Sequence, residues 1–235
     1  MRLSPDEWVF WTWRGLELNA TIAFTWAIMG ILVAVSFFVT RRLSETEDIS
    51  PLQNFLEVLV SSLSNQIQDI SRQDAAHYLP FVGTLFIFIA AANLLSVLPG
   101  YMAPTASLST TTALALSVFA AVPIFGVAAR GLGGYLKQYL RPTPLMAPFT
   151  IISEFSRTIA LAIRLYGNAM SGAMIVGILI SITPFIFPVM MQLLGLLTGL
   201  IQAYIFAVLA MVYIASAAQI DQSKLNTNRM LKEEV

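Results

Sequence analysis

Arg164 lies in the run Ile159-Ala-Leu-Ala-Ile-Arg-Leu-Tyr-Gly-Asn-Ala-Met-Ser-Gly172, a stretch apolar enough to sit within a bilayer. An arginine keeps its proton at any biological pH, so the charge cannot be discarded there. Placing one at the centre of a spanning helix costs ~2.5–3.5 kcal/mol, and an intramembrane ionisable group marks a functional site by default. At helical spacing Thr150, Glu154, Arg157, Arg164, Asn168 and Ser171 fall in one sector. Glu154 stands three residues before Arg157, a spacing that permits an ion pair. Arg164 has no acidic residue three or four positions away. Asn168, one turn on, can hydrogen-bond to it but cannot neutralise it. The next long apolar segment offers Gln192, Gln202, Tyr204, Tyr213 and Gln219, again without a carboxylate. The chain therefore brings a fixed cation into the membrane and leaves its counter-ion to another protein.

Plainer roles compete at several of these positions. Arg157 reads as structural, tied to Glu154. Arg164 has a structural alternative in backbone carbonyls and Gln202. His77, the single histidine, stands near the start of a helix, where an interfacial hydrogen bond is the simpler role. Gly167, Gly172, Gly177, Gly195 and Gly199 fit close helix approach.

The elements that must position the arginines are membrane helices. Of the 235 residues 57% are hydrophobic and only 11% charged, against roughly 25% charged in an average soluble domain. The composition thus predicts an all-α polytopic membrane protein. Thirteen basic residues balance thirteen acidic ones and there is no cysteine. Nothing points to nucleic acid, a disulfide framework, a metal site or a cofactor. About 20 apolar residues cross the hydrocarbon core. Residues 1–19 are expected to form an exposed tail without the pattern of a signal peptide, carrying the interfacial aromatics Trp8, Trp11 and Trp13. Spans are expected at 20–40, 78–98 and 111–129. Two longer segments, 149–183 and 188–219, predict a tilted helical hairpin. Between the first two spans, Leu52, Phe55, Leu56, Leu59, Leu63, Ile67 and Ile70 recur among polar residues, the pattern of an amphipathic interfacial helix over 52–72. Gly131 to Pro148 reads as a loop, and 221–235 as a polar tail.

With five spans the termini lie on opposite sides. Nine of the thirteen basic residues, Arg41, Arg42, Arg72, Arg130, Lys137, Arg141, Lys224, Arg229 and Lys232, then share one side. The positive-inside rule puts that side, with the C-terminus, in the cytoplasm and the N-terminus outside. No inverted internal repeat is visible, which disfavours alternating access.

Arg164-Leu-Tyr-Gly-Asn168, preceded by Ser153-Glu-Phe-Ser-Arg157, resembles the signature of subunit a of F-type ATP synthases. So do Leu200-Ile-Gln-Ala-Tyr-Ile-Phe-Ala-Val-Leu-Ala-Met-Val-Tyr213, Asn93-Leu-Leu-Ser-Val-Leu-Pro-Gly100 and Pro104-Thr-Ala-Ser-Leu-Ser-Thr-Thr-Thr-Ala-Leu114, in family order and spacing. The resemblance implies a non-catalytic stator subunit in a bacterial inner membrane, beside a rotating ring of c subunits and held by peripheral-stalk b subunits. It implies that Arg164 faces the ring carboxylate, with Asn168 and Gln202 as polar neighbours and Arg157 at a commonly basic position. Three positions depart from the pattern. Ala173 and Gly195 stand where the family often carries Glu or His, and Thr150 stands where a glutamate is common. Glu154, Ser171, Gln192, Thr198, Tyr213 or Gln219 would then line the ion path, with sodium as the alternative to the proton. A secondary transporter holding an anionic substrate on Arg164, and a non-transporting assembly subunit, are the competing classes.

Overall fold

The computed structural model describes residues 6, 9–13, 16–41, 51–98, 100–139, 147–183 and 186–218. Six helices dominate: α1 (Ala20–Thr40), α2 (Pro51–Ser71), α3 (Leu79–Leu94), α4 (Leu108–Tyr139), α5 (Ala147–Ile182) and α6 (Ile186–Ala218). Single 3-10 turns lie at Ala75–His77, Leu95–Val97 and Pro104–Ala106. Helices α1, α4, α5 and α6, and α3 together with the turn that follows it (Leu79–Val97), are long and apolar enough to cross a membrane. The chain is an integral membrane protein of helical architecture. With 36 residues in α5 and 33 in α6, both exceed the ~20 of a perpendicular crossing, and tilting accommodates the excess.

Two elements differ from the sequence expectation. The N-terminal tail contains an antiparallel hairpin, β1 (Val9–Trp13) paired with β2 (Leu16–Asn19). The run Val9-Phe-Trp-Thr-Trp13 is rich in aromatic and β-branched residues, which favour a pleated strand. The loop expected from Gly131 is helical as far as Tyr139, after a break at Gly131 itself. There φ is +73°, a left-handed value that glycine adopts without a Cβ penalty. The chain turns at that residue and brings the Tyr135 ring against Gly126, where a Cβ would stand 2.7 Å from the ring. The 221–235 tail and the 42–50 loop lie outside the described residues.

The amphipathic helix α2 turns Leu63 and Ile67 into the bundle and leaves Phe55 and Val58 exposed. The core beside α5 gathers Phe88, Ile89, Ala92, Val118, Leu161, Leu165, Ala203, Phe206 and Ala210. In lipid, helices associate by close packing rather than by hydrophobic expulsion. Gly199, Ala203, Ala207 and Ala210 supply that closeness on α6, and all four are buried. Leu161 and Leu165, one turn apart and each 1% exposed, fasten one face of α5 to this core. Arg164 is therefore carried on the other face.

Candidate functional site

Helix α5 turns Ile163, Arg164, Gly167, Asn168 and Ser171 to an open cleft of about 510 Å³, and α6 closes its far wall with Thr198, Ile201 and Gln202. Five of the ten polar residues singled out from sequence thus meet in one place: Arg164, Asn168, Ser171, Thr198 and Gln202. Asn168 Nδ2 donates to the Thr198 carbonyl at 3.4 Å, a long bond that joins the two helices. Ser171 Oγ donates to the Asn168 carbonyl, and Thr198 Oγ1 to the carbonyls of Leu194 and Gly195.

The two groups with most to offer are unspent. Arg164 is exposed and, among the described residues, makes no hydrogen bond or ion pair. The structural alternative, in which Gln202 and carbonyls satisfy it, is not what the chain adopts. Gln202 is only 6% exposed, and its Nε2 has no hydrogen-bond partner. An unpaired buried amide hydrogen costs about 1–3 kcal/mol. Both groups line the same cleft.

The remaining candidates lie elsewhere. Arg157 sets its guanidinium over the Tyr213 ring, 5.4 Å from the centroid, within the ~6 Å at which a cation is drawn to a ring face. The structure thus gives Arg157 an aromatic contact on α6. Glu154 is half-buried, and its carbonyl accepts from Thr158 Oγ1. Gln192 Nε2 donates to the Ser96 carbonyl, away from the cleft. Gln219 lies outside the described residues. At the two positions where relay groups were missing, Ala173 is exposed and Gly195 half-buried, with open space where a Cβ would point.

A second polar cluster, which sequence reasoning did not single out, sits beneath the cleft. Asn93 is 8% exposed; its Nδ2 donates to the Gly199 carbonyl at 3.0 Å and its Oδ1 accepts from Thr105 Oγ1 at 3.0 Å. The signal available in the sequence was an amide at the end of an apolar span and a run of hydroxyls at 105–112. Tyr101 braces the same place, its hydroxyl donating to the Ala92 carbonyl at 3.1 Å and its ring meeting Phe24 edge-on. Burial pushes the Tyr101 phenol well above its ordinary range, so it stays a donor throughout the physiological range.

An exposed arginine on a helix able to span a membrane thus lies in one cleft with an unsatisfied buried amide. Residues 22–215 match the family model described as ATP synthase A chain. The chain belongs to that family. It is 63% identical over 228 residues to "ATP synthase subunit a 2" of Acaryochloris marina, covering 97% of each chain. It is 58% identical over 219 residues to "ATP synthase subunit a" of Albidiferax ferrireducens, covering 93% of this chain and 95% of the relative. A relative from Chlorobium luteolum, "ATP synthase subunit a 1", is 56% identical over 219 residues, covering 93% and 98%. Membership makes the chain a component of the F-type ATP synthase complex.

Proposed function

We propose that this subunit is the ion-translocating stator of a rotary ATP synthase, with Arg164 facing the carboxylate of a passing c subunit. The observation that carries the reading is the state of Arg164: charged, exposed and, among the described residues, unpaired, in a cleft shared with the unsatisfied Gln202 amide. Around it α5 and α6 present Phe155, Ile159, Ile163, Leu197 and Ile201, all exposed. That apolar frame suits the lipid-facing wall of another helix better than it suits water. In the orientation of the positive-inside rule the N-terminus is outside and the C-terminus cytoplasmic, in a bacterial inner membrane. The peripheral stalk would hold the subunit still while the ring turns.

The mechanism follows from charge. A cation arriving from one side neutralises the ring carboxylate and lets it turn into lipid. On reaching Arg164 the carboxylate meets a charge that cannot leave. At ~5 Å and an effective dielectric of ~20 the attraction is ~3 kcal/mol, which favours the ionised form about a hundredfold and expels the cation to the other side. A membrane potential adds ~2.3 kcal/mol per charge per 100 mV. A much stronger pair would stall the ring, while a neutral residue would let ions pass straight between the two half-channels. Asn168 and Gln202 offer amide groups to the carboxylate on either side of the guanidinium. The subunit itself performs no bond chemistry.

The proton is the cation of first choice. Sodium is a second reading, favoured by the Ser171 and Thr198 hydroxyls that line the cleft and by the lack of a titratable side chain at Ala173 and Gly195. Reconstituted complex tests both. Arg164→Ala should abolish ATP synthesis driven by an ion gradient, with the membrane sector still assembled; coupled synthesis in that variant would sink the assignment. Persistence of synthesis on a sodium gradient with a protonophore present would decide for sodium.

A further inference from the structure

Helix α5 carries two guanidinium groups on one face. Arg157 and Arg164 are seven residues apart, two turns and about 10.5 Å along the axis, and both are exposed. Helix α6 answers with two residues that also share a face, Gln202 and Tyr213, eleven positions apart. The two pairings are chemically opposite. In the Arg164 cleft the buried Gln202 Nε2 is unspent. It is a donor, as is every guanidinium N–H, so it does not use up the arginine. Arg157 instead lies over the Tyr213 ring, 5.4 Å from the centroid, and the face of an aromatic ring is negative. One arginine is presented to an anion; the other is held by the protein itself.

Tyr213 suits the holding. It is half-buried and packs against both apolar clusters of the bundle, the one that includes Leu161 and Leu165 and the one that includes Met211 and Ile214. Its ring is therefore a fixed platform, and the Arg157 guanidinium the arm laid on it. Glu154, three residues before Arg157, is itself engaged and stays native in every variant below. The need for holding follows from the rotor carboxylate. Side chains based two turns apart on one face can meet at a carboxylate between them, and guanidinium forks bind carboxylates bidentately. Two such cations would hold the rotor longer than one, and a hold much stronger than that of Arg164 stalls rotation.

We propose that Tyr213 decides which arginine the rotor carboxylate meets: by keeping the Arg157 guanidinium on its ring, it leaves Arg164 alone to face the passing c subunit. The inference rests on the stator reading. Arg157 then serves as a basic residue toward the basic-rich side of the membrane, where it favours the orientation without taking part in ion release. The bland alternative is a clasp, in which the Arg157–Tyr213 contact merely fastens α5 to α6.

The experiment is ion-driven ATP synthesis by the reconstituted complex carrying variants at positions 157 and 213. Tyr213→Leu should slow synthesis about two- to fivefold, the hold of an exposed cation–π contact read as a rate. Tyr213→Phe keeps the ring and should run as native. Arg157→Gln should also run as native, and adding it to Tyr213→Leu should restore the native rate, because no freed guanidinium is left. A clasp gives the reverse: Arg157→Gln as slow as Tyr213→Leu, and no recovery in the double variant. That result overturns the proposal, as does a native rate in Tyr213→Leu. Should leucine prevent assembly, Tyr213→trifluorophenylalanine supplies the readout, since fluorine drains the negative ring face with little change in size. It should run slower than Tyr213→Phe with Arg157 present and equal to it in Arg157→Gln; equal rates in both backgrounds overturn the proposal. Arg164→Ala run in parallel separates the two readings. Loss there, with a Tyr213→Leu defect that Arg157→Gln does not relieve, discards the holding and keeps the stator. Retained synthesis there discards the stator itself.

Discussion

The Arg164 cleft and the Asn93 cluster share helix α6 and are built on opposite rules. In the cluster every polar group is spent: Asn93 gives to Gly199, takes from Thr105, and its own carbonyl accepts from Ser96 Oγ. In the cleft the strongest donor and a buried amide hydrogen are left unused. A closed polar network specifies one arrangement of helices, whereas a half-made one implies that something else completes it. The difference teaches which polar residues in this membrane protein hold shape and which await a partner.

The comparison can be broken at several points. Arg164→Ala should remove coupled synthesis entirely while leaving the membrane sector assembled, since no packing depends on that side chain; loss of assembly instead would make Arg164 a shape-holding residue. Arg164→Lys should still lose most of the coupled rate, because a compact ammonium lacks the planar fork that spreads its donors; native-like turnover would mean that charge alone suffices. Gly199→Ala comes next and acts through stability. Its Cβ would stand 2.9 Å from Asn93 Cβ, so α3 and α6 must part. The cost should be ~1–3 kcal/mol, read as a lower melting temperature of the purified complex, and an unshifted melt would show that the cluster yields. Glu154→Gln should alter ion flux by less than about twofold, since Arg157 takes its contact from Tyr213; a large loss would return Glu154 to the ion path. Smallest of all, Gly195→Ala meets open space and should leave flux unchanged, with up to ~1 kcal/mol gained from helix propensity.

Much of this contrast was legible from residue types, and the reasons for the rest are physical. Helical spacing alone puts Arg164, Asn168 and Ser171 on one face, because a 3.6-residue repeat holds whatever the helix packs against. It also shows that Arg164 has no acidic residue three or four positions away on its own helix. Spacing permits an ion pair between Glu154 and Arg157. Tyr213 is 56 positions away in the chain, so no local pattern announces that its ring lies beneath the Arg157 guanidinium. The Asn93–Gly199 bond is likewise long-range; the sequence shows an amide and a glycine without showing that they meet. The aromatics of Val9–Trp13 also suit interfacial anchoring, so residue types alone do not announce their pairing with Leu16–Asn19, and the run beyond Gly131, glycine-rich with prolines downstream, has the composition of a loop although it is helical to Tyr139. Spanning segments, whose signal is length and hydropathy, were easier than either.

The fastening of α5 by Leu161 and Leu165 sets how the arginine can move. With Leu161 and Leu165 on the two sides of Arg164 buried in the core, the helix has little freedom to swing toward a partner at the cleft. All the give lies in the side chain, a tether of four rotatable bonds on a rigid mount. Such an arrangement behaves like a sprung pawl on a fixed post: it would tolerate wobble in whatever meets the arginine without relaying that wobble to the frame. Stiffness of the housing and looseness of the contact are then properties of neighbouring residues on one helix, and each can be altered without touching the other.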